Sequence, residues 1–334
     1  MGHELERVTQ ANPAAVSPDH FLSGAALDRL ERSMPDTTRR AYERQGRAFT
    51  AWCAETGRSP LPATPHTLAE YVSHLADENK APSTIEQAIA AIRTAHRLAG
   101  FKGQPGTDAA LQILKTHRRD RADAGHRKRA APPVTLAPLR AMVDAADPTT
   151  VAGRRDRVIV VLGFAIMARR SELAALRTDD VRFTEDGLTV LIRSSKTDQN
   201  AYGAEVRVPH GVHPDTDPVR VTQAWLDVLA QHDALPGPLL RRVNRWDQVQ
   251  PGGLSGAAIN ERVRWLAVAA GLPDAETFTA HGLRASGPTE AAKAGYPVSF
   301  IADHGRWSKT SPQVLEYVRP VDKWRDNPMR GIGL

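Results

Sequence analysis

Cysteine is nearly absent: Cys53 is the only one in 334 residues. A single thiol excludes an intramolecular disulfide framework and any cysteine-based zinc cluster, and it fits a reducing compartment. Long apolar runs are missing too. The longest, Val158 to Met167, covers about ten residues and contains a glycine, whereas a membrane-spanning helix needs about 20. The opening MGHELERVTQ lacks the basic-then-apolar profile of a secretory signal, so a cytoplasmic location without a membrane partner is expected. There is no GxxxxGKS/T phosphate loop, no internal repeat and no spaced set of His and acidic residues suited to a metal ion. No cofactor and no metal are expected.

What is present is positive charge. The 44 Lys and Arg outnumber the 38 Asp and Glu, a formal net charge of +6 with an isoelectric point near 9.7. Such a surface attracts polyanions, nucleic acid first among them. Hydrophobic residues make up 41% and mean hydropathy is −0.40, a composition able to bury a sizeable core. At about 100–200 residues per domain, two domains are expected.

Residues 1–20 are polar, contain proline and show no periodicity, and read as a flexible tail. After Ser33, Tyr42, Phe49, Trp52 and Cys53 recur at helical spacing between an Asp-Thr-Thr start and a Gly57 stop. A second helix begins after Pro65. A third begins after Pro82, with Ser83 expected as its N-cap and Glu86 completing a capping box, and a weaker fourth runs from Asp108 to about Arg121. Residues 21–117 therefore read as a helical domain. Residues 118–133 carry Arg118, Arg119, Arg121, Arg127, Lys128 and Arg129 and close on two prolines. They read as a basic linker. A charge run of this kind serves as a solvated spacer or as a set of phosphate contacts, and its place between two domains of a basic protein favours the second.

The second domain, 134–334, opens with three helical segments. Val181 to Thr184, a Glu-Asp-Gly turn and Leu188 to Arg193 then give a hairpin signal, with Ala204 to Pro209 as a third short strand. After Asp217 the pattern returns to helix. The fold class is mainly α, one helical domain followed by a mostly helical domain with a small antiparallel sheet.

Five places in this second domain hold residues suited to attack on a phosphodiester. Arg169 sits where one helix ends and the next begins, with Glu172 three residues on and able to orient it. That spacing favours Arg169 over the adjacent Arg170; taken alone, it is an ordinary helical ion pair. Lys196 lies in a turn after a strand, where lysines mostly serve solubility. His281 and Arg284 share a helical face. Trp307 follows a Gly-Arg turn, and Tyr317 lies ten residues later in a helix that Pro320 must end. A phenol has a reference pKa near ~10, so as a nucleophile it needs cations and a proton acceptor nearby.

In this order, within one basic domain behind a helical domain and a basic linker, these residues carry a resemblance. The chain resembles the tyrosine recombinases of the phage integrase family, and HGLRASGPTEAAKAGYPVSFIADHGRWSKTSPQVLEYVRP resembles their Cre-like catalytic domains. The resemblance implies an N-terminal core-binding, SAM-like domain and a catalytic domain that cuts and rejoins DNA through a 3′-phosphotyrosine, without metal or ATP. It implies that Arg169, His281 and Arg284 clamp the scissile phosphate, Lys196 protonates the departing 5′-oxygen, Tyr317 attacks and Glu172 supports the arginines. Trp307 stands where many relatives have histidine, as an indole N–H donor. The spacing from Trp307 to Tyr317 is one residue longer than usual, and Arg306 stands where a small residue is common. Arg306 or His304 therefore remains an alternative to Trp307, and Arg306 joins the basic residues expected to meet DNA.

Further implications are a double-stranded recombination site as partner, a homotetrameric synapse formed from a monomer or weak oligomer, accessory DNA-bending proteins and a nucleoid-associated, cytoplasmic enzyme. Val318, Val321, Trp324 and Ile332 lie in a C-terminal segment that packs either on a neighbouring protomer or on its own domain. A type IB topoisomerase would share the chemistry, and a non-catalytic DNA-binding relative would share the fold. Relaxation of supercoils without a cognate site marks the first, and the filled catalytic positions argue against the second.

Overall fold

The computed structural model describes residues 34–126, 134–193, 203–308 and 311–318, together with Ser23, Ala25, Arg29 and Met329. The chain divides into two compact units, Met1–Lys128 and Arg129–Leu334.

The first unit is built from α1 (Asp36–Glu55), α2 (Pro65–Asp77), α3 (Pro82–Leu98) and α4 (Asp108–Asp123), with α1 packed on α3 and α2 on α4. Helical spacing places Phe49, Trp52 and Cys53 on one buried face of α1. There Tyr71 of α2 meets Phe49 and Trp52 at ring-centroid distances of 5.0 and 5.1 Å. The buried His96 accepts from the Ala63 amide through Nε2, and its Nδ1 lies 2.8 Å from the Ile92 carbonyl. Both ring nitrogens are satisfied, so this histidine belongs to the core.

Two expectations change here. Helix α3 starts at Pro82 with Ala81 as its N-cap and no side-chain cap; proline is preorganised for the first helical position, where its missing N–H costs nothing. Glu86 pairs with Arg118 instead of closing a capping box. Helix α4 continues to Asp123, so Arg118, Arg119 and Arg121 stand on a helix, not at the start of a linker. Arg121 donates to the Asn79 carbonyl at 2.9 Å. Arg127, Lys128 and Arg129 lie outside the described residues.

In the second unit, α5 (Leu136–Ala145), α6 (Val151–Ala165) and α7 (Arg170–Ala175) precede strands β1 (Val181–Thr184), β2 (Gly187–Ile192) and β3 (Ala204–Pro209). The strands form an antiparallel sheet in the order β1-β2-β3, with Val190 opposite both Val181 and Val206. Leu188, Val190 and Ile192 point alternately inward from β2. Gly187 has φ +151°, and a Cβ there would meet the Val208 carbonyl oxygen at 2.1 Å, so the tight turn requires glycine.

After α8 (Pro218–Gln231) the chain makes a second antiparallel pair, β4 (Arg241–Val243) and β5 (Val249–Gly253), where the sequence pattern pointed to helix alone. These strands are short and polar and carry no apolar alternation. The unit closes with α9 (Gly256–Ala269), α10 (Ala280–Lys293), α11 (Val298–His304) and α12 (Pro312–Val318). Among the described residues no helix is long and apolar enough to cross a membrane.

Helix α6 is the spine of this unit. Its first amides are capped by the Thr150 hydroxyl and by the Asp247 carboxylate, which accepts from Val151 and Ala152 at 2.7 and 2.8 Å. Its central residues Val158 to Leu162 are all buried, because α6 packs against α5, α8, α9 and α10. Trp225 of α8 is fully buried and donates its indole N–H to the Leu239 carbonyl at 2.7 Å. Trp225→Ala removes that bond and leaves a large cavity. Urea unfolding of the full chain is expected to show a loss of about 3–5 kcal/mol, with Trp225→Phe losing less.

Candidate active site

The site grows from two helix ends of the same construction. At the end of α6 the chain turns through Met167, φ +47°; the Ala168 amide donates to the Gly163 carbonyl and the Met167 amide to the Phe164 carbonyl, each at 3.0 Å. At the end of α11 it turns through Arg306, φ +57°, with Trp307 donating to Ala302 at 2.9 Å and Arg306 to Asp303 at 3.0 Å. Both are Schellman turns, and both place a bulky residue where glycine is usual. A left-handed residue other than glycine costs about 1–2 kcal/mol, so other contacts must hold these turns.

Arginines supply those contacts. The last carbonyls of a helix have no internal partner and carry the negative end of its dipole. Arg284 of α10 donates to the carbonyls of Met167 and, at 2.9 Å, Gly305. Arg306 donates to the Ile166 carbonyl at 2.9 Å and to those of His304 and Met167 at 3.4 Å. His304 points its Nε2 at the Ala165 carbonyl, 2.7 Å away.

Arg169 is the N-cap of α7, and its backbone amide donates to Glu172 Oε2 at 2.9 Å while its Nη1 donates to Oε1 at 2.6 Å. Arg306 Nη2 also reaches Oε2, at 2.7 Å. The Glu172 side chain is only 2% exposed. Burial pushes its pKa up, but Arg306 and then Arg169 outweigh burial and hold the carboxyl below the ordinary carboxylate range. Burial, reinforced by the nearby Arg169, lowers Arg284 to about 9, which leaves it charged at neutral pH.

Trp307 is buried and lies over Arg284, whose Cζ is 4.0 Å from the ring centroid. Gly305 makes room for it: a Cβ there would sit 1.7 Å from the indole ring. Tyr317 packs against Trp307 with ring centroids 5.7 Å apart, and its backbone carbonyl accepts from Thr289 of α10 at 3.0 Å. The Tyr317 hydroxyl stands 3.2 Å from His281 Nε2. Burial raises the Tyr317 pKa, with Arg284 and Arg169 pulling against it and Glu316 adding to it, so at neutral pH the phenol holds its proton and faces an imidazole.

Arg169, Glu172, His281, Arg284, Trp307 and Tyr317, scattered over almost 150 positions, thus meet at one place. Lys196 lies outside the described residues. Arg306 belongs to the same cluster, but its guanidinium is turned inward to Glu172 and three carbonyls. What pattern reading missed is this inward network. Its only trace in the sequence is an arginine directly after a glycine at a helix end.

The arrangement brings a phenol, an imidazole and guanidiniums together at one place. Residues 29–100 match the phage integrase N-terminal SAM-like domain. An integrase/recombinase XerD homologue of Selenomonas ruminantium is 31% identical over 318 residues, 95% of this chain and 91% of that protein. The recombinase Cre of Escherichia phage P1 is 23% identical over 289 residues, 83% of this chain and 82% of its own. Among solved structures, the Tn1549 transposon integrase with transposon right end DNA superposes with a TM-score of 0.61 at 15% identity, covering 88% of this chain and 92% of its own. A lambda integrase dimer bound to a COC′ core site gives 0.55 at 16% identity, covering 87% and 93%. The chain belongs to the tyrosine recombinase, or phage integrase, family, enzymes that cut and rejoin DNA strands in site-specific recombination.

The depressed pKa of Glu172 fixes a pH signature. A carboxyl whose folded pKa lies below its unfolded value contributes stability above the unfolded pKa and loses it as pH falls through the folded one. Glu172→Gln is therefore expected to destabilise the protein by about 1.5–3 kcal/mol at pH 7, with the gap from wild type closing as pH drops below the ordinary carboxylate range. Urea titrations of both proteins at pH 7 and in acid measure it.

Proposed function

We propose that Tyr317 is the nucleophile of a strand transfer in which Arg169, His281 and Arg284 hold the scissile phosphate. The phenolic oxygen attacks phosphorus, the bond to the 5′-oxygen breaks and a 3′-phosphotyrosine forms. Lys196 gives its proton to the departing 5′-oxygen, and His281 accepts the phenol proton. A 5′-hydroxyl from a second strand reverses these steps, so the bond energy kept in the phosphotyrosine makes ATP unnecessary. The observation that carries this reading is the Tyr317 hydroxyl 3.2 Å from His281 Nε2, on a wall backed by Arg284 beneath Trp307.

Electrostatics supports the role of the wall. A phosphorane-like transition state gathers negative charge, and preorganised guanidiniums stabilise it without moving at the moment of reaction. They supply charge of the kind that a divalent ion brings to other phosphoryl-transfer sites, so the reaction is proposed to need no metal. Trp307 is proposed to offer its indole N–H to the phosphate, and Glu172 to orient Arg169.

The proposed substrate is a duplex recombination site gripped mainly through its phosphates. The proposed working assembly is a tetramer on two such sites, formed from a monomer or weak oligomer and aided by DNA-bending proteins in the cytoplasm. Arg119 and the linker residues Arg127, Lys128 and Arg129 are proposed as phosphate contacts. Arg118 and Arg121 would exchange Glu86 and Asn79 for phosphates on binding.

The test uses a duplex selected from a random library by binding to the full-length protein, rebuilt as a nicked suicide substrate and incubated in EDTA. Wild type is expected to accumulate a denaturation-resistant protein–DNA adduct. Tyr317→Phe is expected to bind the duplex with affinity unchanged within about twofold, ~0.4 kcal/mol, and to form no adduct. An adduct that persists in Tyr317→Phe would place the nucleophile elsewhere, and one lost in EDTA would make the reaction metal-dependent.

A further inference from the structure

We infer that Arg306 is a positioning residue: it holds the second oxygen of Glu172 and so fixes the carboxylate that aims Arg169. The inference rests on the roles of Tyr317 and Arg169 proposed above. It departs from the expectation that Arg306 itself meets DNA.

A guanidinium has five N–H groups. Four of those on Arg306 are taken: Nη1 serves the Ile166 and His304 carbonyls, and Nη2 serves Met167 and Glu172. The fifth, on Nε, is buried and has no hydrogen-bond partner. The side chain is 8% exposed, against 18% for Arg169. Four donors are committed to the protein and the fifth is buried, so this guanidinium serves the wall of the site rather than a phosphate.

Its two kinds of partner explain why the contact matters. Glu172 has one oxygen on the Arg169 guanidinium and the other shared between the Arg169 amide and Arg306. Without Arg306, the carboxylate is free to rotate toward Arg169 alone, and the fork of Arg169 turns with it. The Ile166 and Met167 carbonyls belong to the turn that leads directly into Arg169, so Arg306 holds both the side chain and the backbone that orient it. Through Trp307, the next residue, the same turn also sets the ring that covers Arg284.

The left-handed conformation of Arg306 makes the test clean. Arg306→Gly removes the guanidinium while relieving the backbone, since glycine adopts φ +57° freely, so the turn itself is kept. On the suicide substrate described above, Arg306→Gly is expected to keep duplex affinity within about twofold and to lower the single-turnover rate of adduct formation about 10- to 100-fold. Added guanidinium ion is expected to restore part of that rate, a response that a purely structural defect would not show. Glu172→Gln combined with Arg306→Gly is expected to slow the reaction by less than the product of the two single effects, because the two act as one unit.

Arg306→Lys keeps the charge but cannot serve the carboxylate and the carbonyls together, and the same split between rate and affinity is expected; it decides the matter should the glycine variant melt early. Wild-type cleavage rates in well-folded Arg306→Gly, or a loss confined to DNA affinity, would overturn the inference, the latter by making Arg306 a direct DNA contact. Absence of an adduct in wild type would overturn the tyrosine reading and this inference with it. An adduct lost in Tyr317→Phe yet formed normally by the Arg306 variants would overturn the inference alone.

Discussion

A single buried carboxylate organises the catalytic unit. Glu172 has only 2% of its side chain exposed, and an unpaired charge at that depth is costly enough that it must be matched or neutralised. Here it is matched twice, by Arg169 at the cap of its own helix and by Arg306 in the turn after α11, 134 residues later. That demand ties the end of α11 to the junction of α6 and α7. The two Schellman turns, each bent through a residue unsuited to the left-handed region, are the form the tie takes. Their terminal carbonyls, which a helix leaves unsatisfied, become acceptors for Arg284 and Arg306.

The charge balance follows from the same network. Two guanidiniums share the carboxylate and a third, that of Arg284, is held on carbonyls beside them, so the wall is positive, and burial keeps water from diluting its field. The lowering of Arg284 to about 9 by burial and by Arg169 is one expression of this crowding. The pull of Arg284 and Arg169 against burial at Tyr317 is another. A phosphodiester bound at the proposed site would relieve the repulsion among the guanidiniums. It would also bring negative charge next to the phenol, which makes a proton acceptor beside Tyr317 necessary, and His281 stands at that distance.

Much of this was legible in the sequence because it depends on local spacing. The helices of the first unit follow from apolar residues at intervals of three and four, and the hairpin before β3 from alternation around a Glu-Asp-Gly turn. Arg169 with Glu172, and His281 with Arg284, are each three residues apart, the first pair meeting as N-cap and third helical residue and the second on one helix. What could not be read depends on distant partners or on unsignalled backbone conformations. Met167 and Arg306 enter the left-handed region without the glycine that normally marks it. Arg241–Val243 and Val249–Gly253 pair as strands although neither shows an apolar period. Ser83 has the chemistry of a cap, but Pro82 claims the helix start and Glu86 is drawn to Arg118, 32 residues away.

The distribution of N–H donors separates the arginines by task. Arg306 spends four of its five on the protein and leaves the last buried. Arg284 uses one donor from each terminal nitrogen on carbonyls and lies under the Trp307 ring, so its orientation is fixed while further N–H groups remain. Arg169 is more exposed than Arg306, the other arginine on Glu172, and gives its Nη1 to that carboxylate. A phosphate meets strongest resistance to displacement from donors that are already held in place, since rigidity lets a hydrogen bond form without fresh loss of side-chain entropy. On the proposed reading, an arginine withheld from the ligand serves the site by removing freedom from the two whose donors remain.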